Sequence, residues 1–175
     1  MSAPDILFGE GEIAARVAVL AQQIAVAPQP PELMVGILIG AFVFAADLGR
    51  ALARTGLPLG IEFLWLRRYG DARQGSAVKI LVGASERVRN RRVLLVDGVL
   101  DHGTTLGAAK ALLDEAGASA IATAVVVDKQ RSGARLAADY AAFSGVRDFV
   151  IGYGMDDAGQ GRGLPHIARV NPGSA

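Results

Sequence analysis

Chemistry-bearing side chains are densest in segment 93–106, VLLVDGVLDHGTTL, where Asp97 and Asp101 precede His102, Gly103, Thr104 and Thr105. The apolar run from Arg92 to Val96 reads as a buried strand, and Thr104–Ala116 reads as a helix closed by Gly117. The loop between them therefore leads from the carboxyl end of a strand to a helix N-terminus. Unpaired N–H groups and the positive end of the helix dipole favour a phosphate there. Gly103 lets the backbone approach an anion closely, and the two threonines add hydroxyl donors. No Gly-Lys-Ser/Thr follows the strand, so this is not a P-loop. The segment also suits an ordinary connection in which Thr104 caps the helix and the two acids are solvated. Two acids around one turn favour a binding site over a plain connection.

The rest of the chain supplies a frame for that loop. Glu10–Val26 has apolar residues at helical spacing (Ile13, Val17, Leu20, Ile24) and ends at Pro28, Pro30 and Pro31. Leu33–Ile39 is a continuous apolar run, the mark of a strand covered on both faces. Phe42–Arg54 turns helical and stops at Gly56 and Pro58. Strands are expected at Ile61–Leu66, Val78–Val82, Ile121–Val127, Phe149–Ile151 and Ile167–Val170, with a polar, mobile loop from Arg67 to Gly75. Strands alternating with helices imply right-handed crossovers and an α/β fold with a largely parallel sheet. In such a sheet, ligands sit beyond the carboxyl ends of the strands.

Composition narrows the function. The chain has 175 residues, 51% hydrophobic and 20% charged, with a formal net charge of +1. That length suits one hydrophobic core, and the near-neutral charge gives no field for nucleic acid or an acidic membrane. With no cysteine there is no disulfide framework, thiolate nucleophile or cysteine zinc site. Two histidines, His102 and His166, make a histidine-rich metal site an unsuitable reading. No apolar run reaches the roughly 20 residues that span a bilayer, and no basic, then apolar, leader opens the chain. The expected location is the cytoplasm.

Segment 93–106 resembles the phosphoribosyl pyrophosphate (PRPP) signature of the type I phosphoribosyltransferases, and the likeness runs along nearly the whole chain toward the hypoxanthine-guanine branch. LMVGILIGAFVFAADLGRAL (33–52) resembles the first strand, pyrophosphate loop and helix of that branch. Arg68-Tyr69-Gly70 resembles the start of its lid, and DFVIGYGMD (148–156) with Arg162 resembles its purine and pyrophosphate end. The resemblance implies a single domain over 1–175: a parallel-sheet core with helices on both faces, a small hood built from the chain ends, and a mobile lid at about 67–78.

It also implies roles. Asp101 would be the acid beside purine N7, able to take that proton while N9 attacks C1′. Asp97 would hold the ribose hydroxyls and an associated Mg²⁺, the expected cofactor, and Asp156 would be a second Mg²⁺ ligand on the pyrophosphate and purine side. Gly98, His102, Gly103, Thr104 and Thr105 would line the PRPP phosphate site. Ile39, Gly40 and Arg162 would face pyrophosphate. Lys129 would read the 6-oxo group, Phe149 would stack on the base and Val150 would meet its edge. Arg68 and Tyr69 would belong to the lid. The implied partners are PRPP, a 6-oxopurine base and the purine nucleotide, together with further copies of the chain in a homodimer or homotetramer. On residue type alone, Phe149 equally suits core packing and Lys129 a surface position at a strand end.

Two positions depart from the family pattern. Gly98 stands where the family has a second acid, and Ile39 where it commonly has lysine or arginine. A lost charged hydrogen bond is worth about 1.5–3 kcal/mol, which corresponds to roughly ten- to a hundredfold in binding. The alternative reading is thus a catalytically weak relative that binds PRPP or a nucleotide in a regulatory role.

Overall fold

Unbroken apolar runs form the middle of a six-stranded sheet, where both faces are covered. The computed structural model describes residues 5–69, 77–134 and 136–170. In chain order the elements are β1 (Asp5–Phe8), α1 (Glu10–Ala25), β2 (Leu33–Leu38), α2 (Phe42–Arg54), β3 (Gly60–Tyr69), β4 (Ala77–Val82), β5 (Arg92–Leu100), α3 (Thr104–Glu115), β6 (Ala120–Asp128), β7 (Tyr140–Ser144), β8 (Val150–Ile151) and β9 (Ile167–Arg169). The main sheet has the order β4-β3-β2-β5-β6-β7. Every neighbouring pair is parallel except β3 with the edge strand β4.

The helices divide between the two faces. Met34, Leu94, Val96, Ala124 and Val126 meet α1 and α2 through Ile13, Val17, Phe44 and Leu48. Val35, Ile37, Val93, Leu95 and Val125 meet Leu106, Ala109 and Leu113 of α3. Each such Leu, Ile or Val contributes about 1.5–3 kcal/mol when fully buried. The chain ends form a second sheet, β1-β9-β8, which is the expected hood. From β2 the chain moves outward to β3 and β4, then returns to β5 on the other side of β2. The carboxyl ends of β2 and β5 therefore diverge at a topological switch point, where a crevice opens.

Four expectations need correction. β5 does not stop at Val96: Asp97, Val99 and Leu100 continue the ladder opposite Val125, Val127 and Asp128 of β6. Asp97 and Gly98 are therefore strand residues, and the connection to α3 shrinks to Asp101–Gly103. Gly103, not Thr104, is the N-cap of α3, at φ +81°, and no side chain caps the helix. Arg67, Arg68 and Tyr69 belong to β3, paired with Lys79, Val78 and Ala77, because the exposed edge hairpin tolerates charged residues. The rest of the expected lid loop, 70–76, lies outside the described residues. β7, absent from the sequence reading, pairs with β6; its central alanines dilute the strand propensity of Tyr140 and Phe143. Phe149 immediately precedes β8.

Candidate functional site

The crevice between β2 and β5 is an open cleft of about 560 Å³. Its walls bring together Ile39, Gly40, Asp97, Gly98, Asp101, Thr105, Lys129, Phe149, Val150, Asp156 and Arg162. A small hollow at the N-terminus of α3 adjoins it, lined by His102, Gly103, Thr104 and Thr105 along with Asp97 and Asp101. Segments far apart in sequence thus meet because β2, β5 and β6 deliver their carboxyl ends to one edge and the hood closes over it.

Asp97 sits at the inner wall. Its Oδ1 accepts the Gly98 N–H at 2.7 Å. Burial pushes its carboxyl up to about 7, only partly countered by that backbone hydrogen bond. Among the described residues no ion pair reaches Asp97, and no cluster of three His, Cys, Asp or Glu side chains forms a ready metal cage. A desolvated carboxylate without a cation is nevertheless a suitable ligand for a hard divalent ion that draws its remaining oxygens from substrate.

Asp101 is in the opposite situation. Arg131 Nε donates to its Oδ1 at 2.9 Å, Lys129 Nζ lies 3.5 Å from Oδ2, and His102 Nδ1 lies 3.2 Å from Oδ1. Partial burial pushes this carboxyl up, but the Arg131 hydrogen bond and the charges of Lys129, Arg131 and His102 outweigh it, so the group lies below the usual carboxylate range. Asp101 is therefore ionised at neutral pH. Lys129 is only 6% exposed, so its ammonium is held away from water. Its backbone N–H donates to the Leu100 carbonyl at 3.0 Å, fixing the strand end, and Nζ lies 5.9 Å from the Phe149 ring centroid. Phe149 is 51% exposed and lines the cleft, so it is not a core residue and its ring is available to a planar ligand.

The Gly40 region explains one departure from the family pattern. A Cβ on Gly98 would lie 3.0 Å from the Gly40 carbonyl oxygen and 3.3 Å from Met155 Cγ. A Cβ on Gly154, at φ +97°, would lie 2.6 Å from the same oxygen. The Gly40 carbonyl is thus packed between two glycines, and Gly98 is a steric fit as well as a missing charge. Ile39 follows a cis peptide at Leu38–Ile39, and its apolar side chain is partly exposed on the cleft wall.

On the hood side, Arg162 is engaged rather than free. Its Nη1 donates to the Gly154 carbonyl at 2.8 Å, and Nη2 pairs with Asp156 Oδ1 at 2.7 Å. Asp156 Oδ2 accepts the Gly159 N–H at 2.7 Å. The His102 imidazole points to Asp101, and its Gly103 neighbour opens α3. The backbone of Arg68 and Tyr69 lies on β3.

Two residues that sequence reasoning missed join this arrangement. Arg131 holds Asp101; the available signal was its place just beyond Lys129 in the polar stretch after β6. Tyr153 ties the hood loop to α2, its hydroxyl donating to Asp47 Oδ2 at 2.7 Å. Burial, then Asp47, push that phenol far up, so it stays a neutral donor.

The family described as "Phosphoribosyl transferase domain" matches residues 6–158. The hypoxanthine phosphoribosyltransferase of Salmonella typhimurium is 32% identical over 171 residues, covering 95% of this chain and 94% of that protein. The hypoxanthine-guanine phosphoribosyltransferase of Aquifex aeolicus is 34% identical over 169 residues, covering 94% and 93%. The solved structure of a Trypanosoma cruzi hypoxanthine phosphoribosyltransferase in complex with the product IMP superposes with a TM-score of 0.86 at 30% identity, covering 97% of this chain and 95% of that one.

Proposed function

The chain belongs to the phosphoribosyl transferase domain family, and we propose that it is a purine salvage enzyme that moves the 5-phosphoribosyl group of PRPP to N9 of hypoxanthine or guanine. The products are pyrophosphate and IMP or GMP. The observation that carries this reading is the convergence of the Asp101 carboxylate, the buried Lys129 ammonium and the open Phe149 ring on one wall of the cleft. A 6-oxopurine stacked on Phe149 presents a carbonyl to Lys129 and an N7–H to Asp101. Adenine would instead turn its 6-amino donors toward an ammonium, an unfavourable pairing.

The step follows from these positions. The N9 lone pair attacks C1′, and the C1′–oxygen bond breaks with its electron pair leaving on pyrophosphate. The N7 proton passes to an Asp101 oxygen, which keeps the purine neutral. As C1′ becomes cationic, fixed charges and alignment supply the stabilisation. In this reading the hollow at α3 takes the 5-phosphate, with Gly103, Thr104 and Thr105 donating and His102 beside them. Asp97 holds the ribose hydroxyls, and the Gly40 loop with Arg162 faces the pyrophosphate. Mg²⁺ would be held by Asp97 and Asp156 and would supply charge neutralisation at the pyrophosphate. Arg68 and Tyr69 would begin a lid, about 67–78, that excludes water from the activated sugar.

The whole chain, 1–175, would act as one such domain within a homodimer or homotetramer. An apolar strip supports assembly: Ile61 and Phe63 are exposed beside α2, Ile61 against Gly49 and the Phe63 ring against Gly36 and Ala45. Nucleotide binding tests the base assignment. IMP and GMP should bind at least tenfold more tightly than AMP, and Lys129→Ala should erase that preference. Equal binding of all three by the wild-type protein would remove the 6-oxopurine assignment.

A further inference from the structure

Two cations share the Asp101 carboxylate, but their contacts differ in kind. Arg131 Nε donates to Oδ1 at 2.9 Å, a normal charge-assisted hydrogen bond. Lys129 Nζ stands 3.5 Å from Oδ2, at the outer limit for such a bond. The Lys129 side chain is 6% exposed and that of Arg131 38% exposed. A buried ammonium must have a polar partner. Without a base, Lys129 rests on Asp101 and the Phe149 ring; with one, the 6-oxo group takes its place in that contact. If Lys129 were the sole cation on Asp101, this exchange would loosen the carboxylate at the moment it must receive the N7 proton.

We propose that Arg131 is a positioning residue that fixes the Asp101 carboxylate through Nε, so that Lys129 can be released to the purine. The inference rests on the 6-oxopurine transfer reading and adds a residue to it. Arg131 does not meet the reacting atoms. It orients one carboxylate oxygen and leaves the other for N7–H. It also keeps the group ionised between base-binding events. The other charged groups at this wall and around Arg131 are His102 on the same loop, Asp97 on β5, Asp128 at the end of β6, Arg67 on β3, and Asp156 with Arg162 on the hood. Among these, His102 alone is recorded in contact with Asp101, and its side chain is 70% exposed.

The test is the pH profile of kcat/KM for hypoxanthine at saturating PRPP and Mg²⁺, for the wild type, Arg131→Leu and Arg131→Lys. A cation hydrogen-bonded to a carboxylate favours its ionised form, so removing the Arg131 guanidinium lets Asp101 take up a proton at higher pH. The acid limb in Arg131→Leu should move up by about one pH unit, with kcat reduced about tenfold and the KM for PRPP unchanged. Arg131→Lys should recover much of the limb's position, because it restores the charge. In parallel, ¹³C-carboxyl NMR of the protein without substrate should show the Asp101 resonance, assigned with Asp101→Asn, titrating higher in Arg131→Leu. An acid limb that stays in place while kcat falls equally at every pH would make Arg131 a merely structural residue and overturn the inference alone. No turnover by the wild type would overturn the transfer reading, and this inference with it.

Discussion

Replacing Asp97 by asparagine should stabilise the protein, and the gain should grow with pH. The folded carboxyl is pushed up to about 7 from its ordinary 3.8 by burial. A carboxyl raised by folding holds its proton more tightly in the native state. Its contribution to stability is therefore full below about pH 4 and lost as pH rises through 7. A difference of roughly three units at 1.36 kcal/mol each sets an upper bound of about 4 kcal/mol. Solvent reaches part of this side chain, so about 1–3 kcal/mol is the expected size. Asparagine keeps the Oδ1 that accepts the Gly98 N–H at 2.7 Å and removes only the charge. Urea unfolding without PRPP or metal, at pH 4.5, 6 and 8, measures the difference directly. The variant should differ little from the wild type at pH 4.5, where only a small part of the effect has developed, and exceed it by about 1–3 kcal/mol at pH 8. A difference independent of pH, or a variant less stable at pH 8, would refute the reasoning. The same variant should lose PRPP binding, so an unpaired acid in the cleft is a stability cost retained for function.

Other perturbations follow from the packing. Gly98→Ala brings a methyl group to 3.0 Å from the Gly40 carbonyl; we expect a loss of about 1–3 kcal/mol in urea unfolding and a raised KM for PRPP. Gly98→Asp meets the same obstruction, so it should not improve turnover by simply restoring a family acid. Tyr153→Phe removes the hydroxyl bound to Asp47 and should cost about 1 kcal/mol, read as a lower urea midpoint.

The core was legible because its strands carry unbroken apolar runs. Leu33–Leu38 and the start of β5 could not be covered on one face only. Thr104–Glu115 was legible from its periodicity and its terminating glycine. The end of β5 was not, because Asp97-Gly98 reads locally as a turn while pairing with β6 holds it extended. β7 escaped for the complementary reason: its alanines have no strand signal until β6 offers a ladder. In the site, Asp101, Lys129 and Phe149 were legible through ordered motifs, and the fold brings them to one wall. Arg131 and Tyr153 were not, since each acts through a long-range hydrogen bond that no local pattern announces. The steric reason for Gly98 lies in a carbonyl on another loop, which sequence spacing does not reveal.

The most direct test of the central claim is spectrophotometric turnover with PRPP and Mg²⁺, offering hypoxanthine, guanine, xanthine and adenine to the wild type and to Asp101→Asn. The account predicts nucleotide and pyrophosphate in equal amounts from hypoxanthine or guanine, little from adenine, and a loss of at least a hundredfold in Asp101→Asn, within the range for a general base. No turnover with any base, while PRPP or nucleotide still binds, would contradict it and leave a binding protein in its place.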